Sequence, residues 1–234
     1  MGKVRFIYLL LAGLIISTAT ALSAPPQNYK IVYNYRNPDG KLTNIVKYYM
    51  RDGLKFRSEY YSTTSYNISA EAKSSAVLNK EGKPDGDAKA EVKTEQVDLK
   101  NLTPHTVEIL RKDKELVWTI DPEYKMYSEN TLRKDSWERV LNKISLEAIS
   151  DLKKTGNGKV LNFDCDIYEV TRKIQEDEYT NIAYVSKDLN VVLKTELLKN
   201  GKLQQVTEAS EFNTDKPDAS LFELPGGYAK NENK

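Results

Sequence analysis

The stretch ELVWTIDPEYKMYSEN, residues 115–130, decides the fold, because it reads as two short strands that reverse direction at an Asp-Pro pair. In the first strand Leu116, Trp118 and Ile120 are two residues apart and therefore share one face. Proline suits the second position of a type I turn, where its fixed φ favours the reversal. The stretch predicts a β-hairpin that is unusually rich in aromatic side chains.

Alternating apolar and polar residues continue on both sides of this hairpin. Residues 29–36 place Tyr29, Ile31, Tyr33 and Tyr35 on one face of a strand. An Asp-Gly pair at 52–53 separates two further alternating runs, which is a strong hairpin signal. After residue 158 four more runs follow with short connections, so we expect an antiparallel meander of about ten strands in total.

One amphipathic helix is predicted over residues 135–152. Asp135 is placed to cap it, with Glu138 three residues later as in a capping box. Lys153, Lys154 and Gly156 suit a helix C-terminus. The apolar residues recur at steps of three and four and form one stripe: Trp137, Val140, Leu141, Ile144, Ala148 and Leu152.

Residues 1–23 have the layout of a secretory signal peptide. Lys3 and Arg5 precede the apolar run 6–17, and a stretch of small residues follows it. The run is shorter than the ~20 residues needed to cross a bilayer as a helix, which favours cleavage over a retained anchor. Cleavage after residue 21, 23 or 24 fits the pattern. No cysteine directly follows, so we expect a periplasmic protein without a lipid anchor.

The mature chain is expected to form a single domain over residues 24–228. Within it, residues 62–103 are rich in Ala, Lys, Glu, Ser and Gly and nearly free of aromatic residues. Such a segment buries too little apolar surface to offset the entropy lost on ordering, so we expect a mobile insertion. Residues 229–234 are expected to form a disordered tail.

Charge and reactive side chains exclude several function classes. The chain has 35 basic and 34 acidic residues, and loss of Lys3 and Arg5 with the signal leaves 33 against 34. No excess of charge favours nucleic acid. The one histidine, His105, and the one cysteine, Cys165, have no partners in sequence that indicate a metal shell or a nucleophile and its base. We expect no enzyme, no metal and no cofactor, and a monomer.

Asp164 and Asp166 form the densest acidic group and share one side of a strand. Two carboxylates could contribute to a Ca²⁺ site, which is the alternative to a solvated strand face. A site with only two ligands is a poor cage for calcium, so the solvated face is the interpretation we favour.

The aromatic residues are left without a chemical role, and geometry suggests one. The chain has 15 Tyr, 5 Phe and 2 Trp. A helix of about 18 residues is roughly 27 Å long, whereas a ten-strand sheet is roughly 45 Å wide. One helix cannot cover such a face. The predicted fold is therefore α+β: a curved antiparallel sheet, an incomplete barrel, whose concave face is covered by one main helix and retains an apolar groove.

Four stretches carry a resemblance to a known family, and one of them, GKVLNFDCDIYEV (158–170), looks like an uncharacterised branch of that family. YMRDGLKFRSEYY (49–61) and EILRKDKELVWTIDPEYKMYSE (108–129) resemble the strand pair of the periplasmic lipoprotein-carrier superfamily (LolA/LolB-like), and SLFELPGGY (220–228) resembles its closing segment. The resemblance implies an incomplete barrel that accepts acyl chains. It also implies a cavity arginine at Arg57 or, with a shifted register, at Arg51.

We therefore expect a carrier or binding protein that holds a lipid, an acyl chain or an acylated protein in its half-barrel cavity. The alternative is a protein-interaction or sensor module of the envelope with the same fold and a groove filled by its own side chains. The expected ligand-binding residues are Tyr33, Phe56, Arg57, Trp118 and Ile120 on the sheet, and Trp137, Leu141 and Ile144 on the helix.

Overall fold

A computed structural model describes residues 25–63, 102–142 and 152–232, and their side chains except those of residues 141 and 142. The described residues form one sheet of twelve strands, one α-helix and one short 3₁₀ helix. The predicted signal peptide and most of the predicted insertion lie outside the described residues.

The strands are named in chain order. They are β1 (Tyr29–Arg36), β2 (Leu42–Arg51), β3 (Lys55–Ser62), β4 (Thr106–Arg111), β5 (Leu116–Asp121), β6 (Met126–Thr131), β7 (Lys153–Val160), β8 (Phe163–Ile174), β9 (Asp177–Ser186), β10 (Val192–Lys199), β11 (Lys202–Asn213) and β12 (Ala229–Lys230). Helix α1 (Lys134–Asn142) follows β6, and the 3₁₀ helix (Ala219–Phe222) lies between β11 and β12.

The sheet is open, with the strand order β12-β6-β5-β4-β3-β2-β1-β11-β10-β9-β8-β7. All neighbouring strands are antiparallel except β12, which runs parallel to β6. The predicted hairpin at residues 115–130 is confirmed as β5 and β6, which pair from Leu116 opposite Thr131 to Asp121 opposite Met126. The Asp-Gly turn joins β2 to β3, and there Gly53 has a φ of 63°.

Two contacts show that the sheet curls. The rings of Phe163 in β8 and Phe212 in β11 have centroids 5.6 Å apart, although β9 and β10 lie between their strands. In a flat sheet three strand steps would separate them by roughly 14 Å. Across β11, the Tyr33 hydroxyl in β1 donates to the Val192 carbonyl in β10. The side carrying these contacts is therefore the concave face, and it holds the main apolar core.

The helix differs from its prediction at both ends. The amides of Ser136 and Trp137 donate to the carbonyl of Arg133, so Asp135 lies inside the first turn and does not cap the helix. Residues 143–151 lie outside the described residues. The assignment of Lys153, Lys154 and Gly156 to a helix end is wrong, because they belong to β7 and pair with β8.

The strand count and the C-terminus also differ from expectation. The run expected as one strand from residue 159 is a hairpin, in which Leu161 adopts a φ of 52° between β7 and β8. The expected disordered tail is wrong for Ala229–Lys230, which pair with Met126–Tyr127 as β12. Lys230 adds an ion pair with Glu129 at 2.9 Å. An exposed edge strand leaves free backbone groups, and β12 covers the first two residues of β6.

Phe56 provides the first test of this core. Its side chain is fully buried on the concave face, so Phe56→Ala is expected to lower the free energy of unfolding by about 3–5 kcal/mol in a denaturant titration. Leu54, in the adjoining turn, is 42% exposed, and Leu54→Ala is the matched control, with an expected change within about 0.5 kcal/mol. Equal losses in the two variants would contradict the placement of Phe56.

Candidate ligand-binding groove

Helix α1 lies against the concave face through its apolar stripe. Trp137 and Val140 are buried in the same cluster as the sheet residues Tyr33, Phe56 and Leu110. Aromatic rings form a continuous patch there, since the ring of Tyr48 lies 5.8 Å from that of Tyr33 and 5.5 Å from that of Phe56. Trp137 is also covered by the Lys112 ammonium, 5.6 Å from its ring.

A half-open hollow of about 670 Å³, here called the helix-side hollow, lies between α1 and strands β4 to β6. Its apolar lining, here called the floor, consists of Leu110 and Val117 on the sheet and Val140 on α1, and the other seven lining residues are charged or polar. The full lining is Glu108, Leu110, Val117, Thr119, Asn130, Thr131, Arg133, Ser136, Arg139 and Val140.

A second hollow of about 310 Å³, here called the tyrosine hollow, lies over β1 to β3. Its lining carries no formal charge: Tyr35, Asn44, Val46, Tyr48, Ser58 and Tyr60. Ser58 pairs with Glu108 across β3 and β4, so the two hollows are neighbours on one face of the sheet. Together they are called the concave groove below. It crosses the six strands from β1 to β6, roughly 24 Å at ~4.8 Å per strand step.

Two phenols of the tyrosine hollow, those of Tyr35 and Tyr48, have raised pKa values. Burial raises the pKa of Tyr35 and that of Tyr48, because a phenolate would lose its hydration there. The Tyr60 hydroxyl donates to Asn44 Oδ1 at 2.7 Å. These groups offer hydrogen bonds and ring surface to a ligand but no charge.

The positive charge of the groove is at its helix side, and Glu108 on β4 adds a negative charge to the same hollow. Arg139 Nη2 donates to Ser136 Oγ at 3.0 Å and to Asp135 Oδ2 at 3.3 Å. Arg133 Nε lies 3.5 Å from the same Asp135. Both guanidinium groups are mostly exposed, and exposed ion pairs contribute little to stability. They therefore remain accessible to an acidic group at the mouth of the helix-side hollow.

The predicted site residues divide between the two faces. Tyr33, Phe56 and Trp137 lie together on the concave face, as expected, but they are almost fully buried beneath the groove and do not line either hollow. Leu141 lies in α1 without a described side chain, and Ile144 lies outside the described residues. Whether any of them binds a ligand stays a prediction.

Trp118, Ile120 and Arg57 do not lie in this groove, and the prediction that they share it with Tyr33 and Phe56 is wrong. Trp118 and Ile120 pack on the convex face in a separate cluster with Phe222. The neighbouring residue Val117 faces the groove instead. Arg57 Nη1 donates to the carbonyl of Leu221, which also lies on the convex side. Alternation places successive residues on opposite faces, and β5 turns the tryptophan outward.

Residues 217–230, here called the strap, cross the convex face. Phe222 is fully buried there, whereas most other strap residues are exposed or half-buried. It fills a pocket whose walls come from β4 and β5: Val107, Ile109, Trp118 and Ile120.

Three arginines hold the strap by its backbone carbonyls. Arg51 Nη1 donates to the carbonyl of Pro217, Arg57 Nη1 to that of Leu221, and Arg111 Nη1 to that of Phe222. Both candidate positions for the family's cavity arginine, Arg51 and Arg57, therefore bind the strap. The arginine residues were visible in the sequence, but their common partner comes from the far end of the chain.

Arg111 carries a charge that is 3% exposed and is fully paired. Its Nε and Nη2 atoms donate to Asp113 at 2.8 and 2.7 Å, and Nη1 contacts the Glu223 carboxylate. Lys114 adds a contact to Glu223 at 3.3 Å. A buried cation without such partners would cost several kcal/mol, on the order of 3–5. The strap acid is therefore part of what allows Arg111 to be buried.

Glu59 is a second buried charge on the convex face. Its carboxylate accepts from Arg57 Nε and from the Tyr61 hydroxyl, each at 2.7 Å. Burial and the adjacent carboxylate raise the pKa of Tyr61. Burial lowers the pKa of Lys47, 4.0 Å from Glu59, although the carboxylate opposes this shift. Because Arg57 also holds the strap, this cluster supports strap attachment.

The remaining sequence candidates are accounted for by local contacts. Asp166, a candidate calcium ligand, forms ion pairs with Lys154 at 2.9 Å and with Lys187 at 3.5 Å. The two lysines compensate its negative charge. Cys165 is fully buried, and burial raises the pKa of its thiol. Within residues 25–63, 102–142 and 152–232, no group of three or more His, Cys, Asp or Glu side chains is placed to hold a metal.

A family model matches the part of the chain that carries the helix-side hollow but not the part that carries the tyrosine hollow. The family DUF4412, a domain of unknown function, matches residues 84–193, which is just under half of the chain. This range contains β4 to β6 and α1, which form the helix-side hollow. None of the curated proteins matches the sequence.

Several solved structures resemble the fold at low identity. MucB in its complex with MucA(peri) matches with 12% identity and a TM-score of 0.46, covering 85% of this chain and 54% of MucB. An exported protein of Bacteroides fragilis with a YmcC-like fold matches with 11% identity and a TM-score of 0.36, over 81% of this chain and 97% of its own. A lipoprotein of Parabacteroides distasonis matches with 13% identity and a TM-score of 0.36, covering 80% of this chain and 97% of its own.

The chain spans about half the length of the MucB structure that it matches. At these TM-scores the likeness concerns the layout of the sheet and carries no conclusion about ligands or partners. In the described part of the chain, no helix has the length and apolar character needed to cross a bilayer.

Acid is expected to weaken the attachment of the strap. Hydrogen bonds from Arg111 lower the pKa of Asp113 from its ordinary 3.8. Burial would raise the pKa of Glu223, but Arg111 and Lys114 outweigh it and lower that pKa from 4.5. Both native pKa values lie below the unfolded ones, so the stabilisation is complete above about pH 4.5 and is lost as the pH falls through the native values.

Denaturant titrations between pH 7 and pH 2 measure this loss. We expect the free energy of unfolding of the wild type to fall below about pH 4, and we expect a shallower fall in the double variant Asp113→Asn/Glu223→Gln. Glu123→Gln, in the exposed β5–β6 turn, is the control and should follow the wild-type profile. Identical pH profiles for the wild type and the double variant would contradict the role of these two carboxylates.

Proposed function

We propose that this chain is an exported, non-enzymatic binding protein that holds the apolar part of a lipid or of an acylated protein in the concave groove. The observation that carries the proposal is the helix-side hollow, about 670 Å³ with an apolar floor between α1 and the sheet. Pockets that bind small ligands are commonly about 300–1,000 Å³ and combine apolar walls with a few polar groups.

The floor of the groove supports an apolar guest. Leu110 and Val117 lie side by side on β4 and β5, and Val140 faces them from α1. Leu110 and Val140 are each 2% exposed, so the apolar surface open to an alkyl chain is mainly that of Val117, at about 25 cal/mol for each Å² buried. The tyrosine hollow continues the groove along the sheet, so a long chain has room beyond the helix.

The polar groups of the groove suit binding better than acid–base or nucleophilic chemistry. Burial raises the pKa of Tyr35 and that of Tyr48, so these two hydroxyls stay protonated, and the two arginines offer positive charge at the mouth. A ligand with an acidic head and an apolar tail would match this arrangement, with the head at Arg133 and Arg139. The proposal therefore names an amphipathic ligand and no reaction.

A second candidate, an envelope interaction or sensor module, is favoured by a different observation. Tyr33, Phe56 and Trp137 fill the deepest part of the concave face with the chain's own side chains. Under this candidate the groove is a shallow surface for a protein partner, and free lipids bind weakly or not at all.

The two tryptophans distinguish the candidates, because they lie on opposite faces of the sheet. Trp137 is flanked in α1 by Ser136 and Val140, which line the helix-side hollow, whereas Trp118 is covered by the strap. In a Trp118→Phe variant only Trp137 emits, and we expect a bromine-labelled stearate to quench its fluorescence in a saturable way. In a Trp137→Phe variant only Trp118 emits, and we expect little quenching.

The same titration has two informative failures. Equal quenching of Trp118 and Trp137 would indicate adsorption on the surface and would contradict a groove site. No quenching of Trp137, together with no lipid in native mass spectra of the full chain, would overturn lipid binding and favour the second candidate.

A substitution in the floor tests the position of the guest. Val117→Asp puts a charge where the apolar chain is expected to lie, and should weaken stearate binding at least tenfold. Ile174→Asp, at a side chain that is 58% exposed and belongs to neither hollow, is the control and should bind like the wild type. Unchanged binding by a folded Val117→Asp variant would exclude the helix-side hollow as the site.

A further inference from the structure

The convex face combines features of a peptide-binding site, and the strap already occupies it. Arg51, Arg57 and Arg111 each donate to a main-chain carbonyl of the strap. Contacts to carbonyls do not depend on side-chain identity, so they position an extended or turned segment without selecting its sequence. Selection comes from two other contacts, to Phe222 and to Glu223.

The pocket for Phe222 selects an aromatic or large apolar side chain. Phe222 is the only strap residue in the fully buried class, and its pocket is closed by Trp118, Ile109 and Ile120. Arg111 and Lys114 select an acid at the next position, since both contact the Glu223 carboxylate. The recognised pattern is therefore an apolar residue, an aromatic residue and an acid, which this chain supplies as Leu221-Phe222-Glu223.

The strap is tethered through a short exposed connection. Residues 214–216 are exposed and join β11 to Pro217, where the first arginine contact is made. Lys216 contributes an ion pair with Asp52 at 2.7 Å, between side chains that are about half exposed. At its other end the strap is held by the two-residue strand β12. The buried Phe222 and the partly buried Leu221, Leu224 and Tyr228 thus hold the strap to the convex face, together with the polar contacts, while most of its other residues are exposed.

We propose that the convex face of β2 to β5 is a sequence-selective site for a short segment that includes a 3₁₀ turn, and that its occupant in trans is the strap of a second copy of this chain. The complementarity is already shown in cis, and an identical segment from another copy makes the same contacts. Exchange of a terminal segment across an exposed hinge is a common route to dimers. The tether gives the cis strap an effective concentration in the millimolar range, so the cis form dominates in dilute solution.

The first experiment empties the site in the full-length chain. A fluorescein-labelled peptide of residues 215–230 is titrated into the Phe222→Ala variant, into the wild type and into Ile174→Ala, which leaves the strap intact. We expect binding to Phe222→Ala at least tenfold tighter than to the other two, because its own strap lacks the anchor. Peptides with Phe222→Ala or Glu223→Gln should each lose affinity.

The outcomes are decisive in either direction. Binding that requires both the aromatic and the acidic residue supports the site. A folded Phe222→Ala chain that binds no peptide, or that binds the parent and Phe222→Ala peptides equally, overturns it. If Phe222→Ala lowers the folded fraction seen by circular dichroism, Leu221→Ala/Glu223→Gln replaces it, since it weakens strap contacts without opening a fully buried cavity.

A second experiment tests exchange between copies. Deletion of residues 214 and 215 shortens the connection so that the strap no longer reaches its own site, but the strap of a neighbouring copy remains available. We expect dimers in sedimentation at micromolar concentration, and we expect the free peptide to dissociate them. A folded monomer with an accessible Phe222 pocket would overturn the exchange. Neither experiment involves the concave groove, so lipid binding can succeed or fail independently.

Discussion

The structure depends on covering both faces of a sheet that is apolar on both sides. In β4 and β5, Leu110 and Val117 face the concave side while Ile109 and Trp118 face the convex side. A sheet that is apolar on both faces must be packed on both faces, because exposed apolar patches of this extent are unfavourable in water. Helix α1 covers part of one face, and the strap covers part of the other. The concave groove is the part of that face that α1 leaves open, where polar side chains surround a few apolar ones.

The strands could be predicted because their signals are local. Alternation and the Asp-Gly and Asp-Pro turns predicted the β2–β3 and β5–β6 hairpins, and both are present. Strand β7 could not be predicted in the same way, since its sequence KKTGNGKV has only one buried side chain and is typical of a turn. Its strand conformation comes from pairing with β8, a tertiary interaction that outweighs the low β propensity of glycine and lysine.

The site was harder to predict than the fold, for a physical reason. Alternation shows which residues of one strand share a face, but it does not show which face is concave. Trp118 and Ile120 were assigned to the side of Phe56, whereas the register places Phe56 opposite Leu110, and Leu110 opposite Val117. Because side chains alternate with a period of two, an error of one residue moves an entire strand to the other face. Only strand pairing determines this choice, and a single sequence does not report it.

The two faces of the sheet are covered by different physical means. This difference explains why part of the concave face stays open. On the convex side, Arg111 is buried and needs the carboxylates of Asp113 and Glu223, so loss of the strap would expose or unpair a charge as well as apolar surface. On the concave side, the floor of the helix-side hollow is neutral and its Leu110 and Val140 are already covered, so leaving the hollow open hydrates little apolar surface. The convex face has a cover that is fixed by charge pairing, whereas the concave face has an uncharged floor. The concave face is therefore the side that can admit a guest.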